Sequence, residues 1–290
     1  MKDLILRYKM PWLCRILRIV WIPGPNLRKY LKFVGPFSLH TKNDKRLRLQ
    51  HQGYFLENEL FWLGWDDFYW EKTSRSLWEK HCEKAETILD IGANTGLFAM
   101  FAQASNPAAK VIAFEPQPNI FSTLQKNSTL NGSKVICEQL ALSDQEGELP
   151  FYNYGEGAFA HHNTTAGSLN AEWRTTDQQS IKVRVATLEA YLTQNKIEKV
   201  DLIKLDVETL EPEVLAGYGP LLAEHRPVVL LEIQDRKIGD RIAAFFQTVP
   251  CTFFHIEEAT GPRQVSELGG HGTDHNYLIV PDESAESARA

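Results

Sequence analysis

Residues 88–100 read ILDIGANTGLFAM, and this stretch constrains the fold more than any other. Ile88, Leu89 and Ile91 form a short apolar run, the pattern of a strand buried on both faces. Gly92 and Gly96 follow with three residues between them, and glycine reaches backbone angles that other residues resist. Leu97, Phe98, Met100 and Phe101 then read as the inner face of a helix. A strand, a tight turn and a helix N-terminus leave backbone N–H groups directed at one cavity, the arrangement of a nucleotide-type site. The spacing departs from the dinucleotide fingerprint G-x-G-x-x-G, because position 94 is Asn and position 97 is Leu.

A second stretch, KVIAFEPQPN at 110–119, supplies the next strand. Glu115 stands at its carboxyl end, about 20 residues beyond the glycine turn, where an acidic residue of a doubly wound sheet accepts both ribose hydroxyls. Pro116 and Pro118 end the strand before a helix that begins near Asn119. Further buried strands are expected at 134–140, 200–206 and 227–233, with helices near 96–104, 119–131, 211–224 and 236–247. This βαβα alternation predicts an α/β fold with a doubly wound, mostly parallel sheet. CTFFHI (251–256) and NYLIV (276–280) are joined by a Gly-rich loop, which predicts a closing antiparallel hairpin.

Charge divides the chain unevenly. Residues 1–48 hold twelve Lys or Arg against two Asp or Glu, a net of +10, so the remainder carries −16 of the total −6. The cations alternate with Leu, Ile and Trp in LILRYKMPWLCRILRIVWIPG. Two arrangements suit such a segment: a basic amphipathic stretch on an anionic membrane or lipid-linked substrate, or a helical lid packed on the main domain. Arg15 and Arg18 interrupt the apolar run, so it is not read as a signal peptide. No run of about 18 apolar residues occurs, and no transmembrane helix is expected. Cys14, Cys82, Cys137 and Cys251 are widely spaced, which suits reduced thiols in a cytoplasmic protein and predicts no metal cluster. The expected organisation is a basic extension (1–48), an aromatic-rich helical lead-in (49–84), a catalytic domain (85–282) and a frayed tail (283–290). An insertion at about 148–186 places the strands ELPFYN and IKVRVA around a polar loop, a usual location for substrate contacts.

Four motifs in order, ILDIGANTG, VIAFEPQPN, EQLALSD and VDLIKLDVETLE, resemble the FkbM family of S-adenosylmethionine-dependent methyltransferases over roughly residues 85–235. The resemblance implies a seven-stranded class I methyltransferase sheet whose last strand is antiparallel. It implies that Asp90, Gly92, Ala93, Asn94, Thr95 and Gly96 hold the amino-acid part of S-adenosyl-L-methionine. By the same resemblance Glu115 and Pro116 lie at the ribose, and Leu140 and Ala141 near the adenine with Ser143 and Asp144 close by. Asp206 would face the sulfonium. The family pattern D-V-E-G-x-E is broken at Thr209, which takes positive φ less readily than Gly.

The expected reaction is O-methylation of a hydroxyl on a glycan, glycolipid or secondary metabolite, with no nucleic acid as partner. A hydroxyl acceptor needs a general base within about 3 Å. His161 and His162, in the inserted loop, titrate near neutrality and are the first candidates, with Asp206 and Glu208 behind them. Two other readings fit parts of the pattern. A nicotinamide-dependent oxidoreductase is opposed by the missing third glycine and the terminal hairpin. A catalytically silent binding module on the same fold has Thr209 as its one pointer.

Overall fold

The computed structural model describes residues 11–41, 45–154, 167–172 and 178–282. Its centre is an eight-stranded sheet. The strands are β3 (Thr87–Ile91), β4 (Lys110–Phe114), β5 (Ile136–Glu138), β10 (Leu202–Leu205), β11 (Val228–Glu232), β12 (Cys251–Glu257), β13 (Gly261–Val265) and β14 (Asn276–Pro281). Their spatial order is β13-β12-β14-β11-β10-β3-β4-β5. Pairing is parallel from β5 through β11, and β14 runs antiparallel between β11 and β12. Seven of these strands reproduce the expected sheet. The eighth, β13, occupies the edge, in a stretch expected to be loop.

Alternation along the strands builds two cores. Ile88, Val111, Ala113 and Leu230 join one apolar cluster, while Leu89, Ile112, Phe114 and Leu231 join another on the opposite face. Each central strand is thus apolar on both sides, which is why the runs read as continuous instead of alternating. Helices Phe55–Leu63, Lys72–Cys82 and Leu97–Ser105 contribute to the first cluster, and helices Leu188–Gln194, Glu211–Tyr218 and Arg236–Phe245 to the second.

The aromatic lead-in is core. Trp62, Trp65, Phe68 and Trp78 are buried, and Trp65 stacks on Phe101 with ring centroids 4.0 Å apart. Arg75, also buried, organises the loop before its helix by donating to the carbonyls of Trp65 (2.8 Å), Trp70 (3.1 Å) and Phe68. That loop delivers Trp70 and Glu71 to the site. Glu258, just after β12, accepts from the Thr73 and Ser74 N–H groups, so the lead-in helix is capped by the far end of the sheet.

The N-terminal extension is helical over Pro11–Val20 and Pro25–Arg28 and then forms a hairpin, β1 (Gly35–His40) with β2 (Arg46–His51). The hairpin crosses the expected boundary at residue 48. The insertion forms its own four-stranded sheet: β6 (Ala141–Leu142), β7 (Gly147–Tyr154), β8 (Gly167–Ser168) and β9 (Gln178–Ala186) in the order β6-β9-β7-β8. β7 and β9 are the strands expected there.

Candidate active site

A cavity of about 450 Å³ lies over the carboxyl ends of β3, β4, β10 and β11. That edge is where an open α/β sheet binds ligands. Asp90, Gly92, Ala93, Asn94, Thr95, Glu115, Pro116, Leu140, Ala141, Asp206 and Glu208 all line it. Gly96 does not. A Cβ there would lie 2.3 Å from Leu124 Cδ1, at a φ of +87°, so Gly96 serves the turn and its packing on the neighbouring helix. Ser143 and Asp144 also lie away from the lining, and Ser143 O packs against Gly217. His161 and His162 lie outside the described residues.

The glycine turn is shaped first by the protein's own chain. At Gly92 (φ +78°) an added Cβ would sit 1.8 Å from the Asp206 carbonyl oxygen. The turn after β3 therefore presses on the end of β10, and only Gly permits that approach. Asn94, also at positive φ (53°), donates its N–H to Glu115 Oε2 at 3.0 Å. Gln117 N–H donates to Glu115 Oε1 at 2.8 Å. Each oxygen of Glu115 thus holds one backbone donor and keeps a second lone pair for a hydroxyl. Burial drives Glu115 up to about 8, against these two donors.

Asp90 is buried at the end of β3 and accepts the Ala99 N–H at 2.9 Å through Oδ2. Its Oδ1 is buried without a protein partner, and the residue lines the cavity. Burial raises Asp90 to about 6, with Lys204 pulling the other way. A buried carboxylate oxygen of this kind suits a cationic or N–H donor such as an α-ammonium group.

Glu71 and Lys204 are not among the expected site residues, yet both line the cavity. Lys204, on β10, is buried; its Nζ lies 2.9 Å from Asp206 Oδ2 and 4.7 Å from the centre of the Phe98 ring. Burial works against its charge, but Asp206, Glu71 and Asp90 more than offset this and raise its pKa. Glu71 accepts from Asn276 Nδ2 at 3.0 Å, while its Oε2 is buried without a partner. Burial raises Glu71 to about 7. Glu232, at the end of β11, is pushed up by burial and then by Asp206, Glu208, Glu211 and Glu71. Six carboxyl groups to one ammonium line the cavity, so it favours a cation over a phosphate.

The turn after β10 keeps positive φ despite its non-glycine residues, 55° at Glu208 and 79° at Thr209. The insertion sheet and the next helix hold it. Ser168 Oγ donates to the Glu208 carbonyl at 2.8 Å, and Asn170 Nδ2 donates to Thr209 Oγ1 at 2.9 Å. Val207 N–H donates to Glu211 Oε1 at 3.1 Å, which gives Glu211 a structural role. Strain of this kind persists only where the surroundings fix it.

The strand order, the glycine turn and the acidic cavity define a methyltransferase-type domain built for a cationic nucleoside cofactor. The family model described as "Methyltransferase FkbM domain" matches residues 90–255, more than half of the chain. The chain belongs to this family, and its cofactor is S-adenosyl-L-methionine. It is 29% identical over 153 residues to the 31-O-demethyl-FK506 methyltransferase FkbM of Streptomyces tacrolimicus, covering 46% of this chain and 59% of that one. It is 25% identical over 138 residues to the hexuronic acid methyltransferase AglP of Haloferax volcanii, covering 48% of this chain and 52% of the other. The chain therefore spans little more than half the length of these curated relatives. Among solved structures, methyltransferase FkbM from Methylobacillus flagellatus superposes with a TM-score of 0.42 at 14% identity, covering 67% of this chain and 43% of that one.

Proposed function

We propose that this chain transfers a methyl group to a hydroxyl of a glycan, glycolipid or secondary metabolite. The observation that carries the reading is the acidic cavity at the carboxyl edge of the sheet, with the orphaned Asp90 Oδ1 and the two-armed Glu115 in one lining. Two relatives support the acceptor class: the hexuronic acid methyltransferase AglP, and the 2-O-methyltransferase NoeI of Sinorhizobium fredii. When bound, S-adenosyl-L-methionine supplies an activated methyl group on a sulfonium.

The chain's own residues then have four tasks. Asp90 holds the cofactor's ammonium through Oδ1, and Glu115 takes the ribose hydroxyls on its remaining lone pairs. Lys204 fixes Asp206 at 2.9 Å, so this carboxylate keeps one orientation at the cavity floor. Phe98, Phe114, Leu142 and Phe151 supply apolar wall and exclude water. Glu232 is the candidate to take the acceptor's proton: it lines the cavity, and the positive charge of a bound sulfonium would lower its raised pKa and free the carboxylate to accept.

The test is turnover against a panel of hydroxylated glycans with S-adenosyl-L-methionine, in wild type and Glu232→Gln. The reading expects methyl transfer by wild type and a large fall in kcat in the variant, with cofactor affinity kept. Full turnover in Glu232→Gln with loss in the double His161→Ala, His162→Ala variant would move the base into the inserted loop. Hydride transfer to a nicotinamide would overturn the reading altogether.

A further inference from the structure

Away from the cavity, the N-terminal helix Pro11–Val20 carries apolar residues on two faces. Its inner face packs Cys14 and Leu17 on the core, and Arg18 lies over the Phe61 ring at 5.1 Å. Its outer face presents Trp12 (57% exposed), Ile16, Ile19 (83%) and Val20 (75%), at the spacing i, i+4, i+7, i+8. Trp21 and Ile22 continue this exposure past the helix end, and Leu27 and Tyr30 are exposed nearby in sequence. Beside the edge that carries Arg15 and Arg18, the apolar stripe is wider than the face that packs on the core, and part of it is left uncovered. Large exposed apolar side chains are sparse elsewhere among the described residues: Val34, Phe55, Tyr69 and Ile136.

A second cleft, of about 470 Å³, adjoins this helix and is lined by Arg15, Arg18 and Arg48 with Phe61 and Phe37. Arg15 donates to the Pro36 carbonyl at 2.7 Å, and among the described residues no carboxylate pairs with any of the three guanidinium groups. No Asp or Glu occurs between Asp3 and Asp44. Tryptophan beside aliphatic residues, with unpaired arginines at the flank, is the composition of a segment that lies in a lipid interface. Guanidinium forks match phosphate geometry.

We propose that this face is a docking surface for an anionic lipid bilayer, with Trp12, Ile19 and Val20 entering the headgroup boundary and the Arg15–Arg18–Arg48 cleft taking a lipid phosphate. The contact reaches the cavity through one element. Helix Phe55–Leu63 packs Phe61 and Trp62 under the extension, and its first turn supplies Phe55 and Leu56 to the cavity lining.

The test is co-sedimentation of the full chain with phosphatidylcholine vesicles, with and without phosphatidylserine. Wild type is expected to bind the anionic vesicles at least about tenfold more tightly, with the difference shrinking at high salt. The double variant Ile19→Asp, Val20→Asp and the single variant Arg48→Glu are each expected to lose about tenfold or more of this binding. S-adenosyl-L-methionine affinity, unchanged in both, reports that the fold is intact. Equal partition to the two vesicle types, or wild-type binding by the double variant, would overturn the proposal. So would a dimer in light scattering that the Asp pair dissociates, because a second copy would then cover the face.

Discussion

Replacing Glu115 with Gln isolates the ribose contact in a single side chain. The carboxylate now accepts Asn94 N–H at 3.0 Å and Gln117 N–H at 2.8 Å, one on each oxygen. Glutamine keeps one acceptor oxygen and turns the other position into a donor, which must face one of those N–H groups. One ribose hydroxyl then loses its acceptor. Above about pH 8, where Glu115 is ionised, a hydrogen bond to its charged group contributes about 1.5–3 kcal/mol. At about 1.4 kcal/mol per tenfold, cofactor affinity should fall roughly 10- to 150-fold. S-adenosyl-L-methionine and S-adenosylhomocysteine carry the same ribose, so both should weaken by the same factor. Calorimetric titration measures both, and thermal melting run alongside reports whether the fold survives. Affinities within about twofold of wild type, in a protein that melts normally, would refute the assignment of Glu115 to the ribose.

Three further outcomes follow from the same geometry. Gly92→Ala places a Cβ 1.8 Å from the Asp206 carbonyl at positive φ; with about 1–3 kcal/mol each for backbone strain and overpacking, at roughly 2–4 °C per kcal/mol, Tm should drop by about 4–24 °C, and an unchanged melt would contradict the close approach. Lys204→Met leaves Asp206, Asp90 and Glu71 without their buried cation, a loss of about 3–5 kcal/mol for a broken buried pair, and the sulfonium cofactor should restore more of the melting temperature than its neutral homocysteine product; equal rescue by both would count against charge compensation. Asp90 at about 6 and Glu115 and Glu211 at about 8 all lie above their ordinary values of 3.8 and 4.5, so the folded state holds more protons than the unfolded one between these limits and stability should fall as pH rises from about 4.5 to 8; denaturation midpoints that stay flat or climb across that window would count against buried, proton-holding carboxyls.

The parts of the fold legible in the sequence are those fixed by burial on two faces. Ile88–Ile91 and Val228–Leu231 could only be central strands, and their order with the intervening helices gave the sheet. The site loop was legible because Gly92 and Glu115 announce a turn and a strand end. Their partners were not, since Phe114, Asp206 and Leu124 reach the turn only through folding. Glu71 and Lys204 escaped for the same reason: Glu71 lies in the aromatic lead-in and Lys204 among the apolar residues of a buried strand, and only packing brings both to the cavity. Gly96 does not line the cavity; its positive φ and its contact with Leu124 give it a place in the turn. The hairpin β1–β2 was hidden by cations that alternate with its apolar residues, as in Arg46, Leu47, Arg48 and Leu49, where the buried Leu pair faces the core and the arginines face out. In sequence the extension therefore reads as an amphipathic stretch or a helical lid, with no hairpin.

The central claim is that the acidic cavity binds S-adenosyl-L-methionine, and calorimetric titration of the purified chain with this cofactor and with S-adenosylhomocysteine tests it most directly. The account predicts saturable one-to-one binding of both, weakened together by Glu115→Gln, with protons released on binding the sulfonium form as nearby carboxyls lose their raised pKa values. Absence of binding by either compound, in a protein that melts cooperatively, would contradict it.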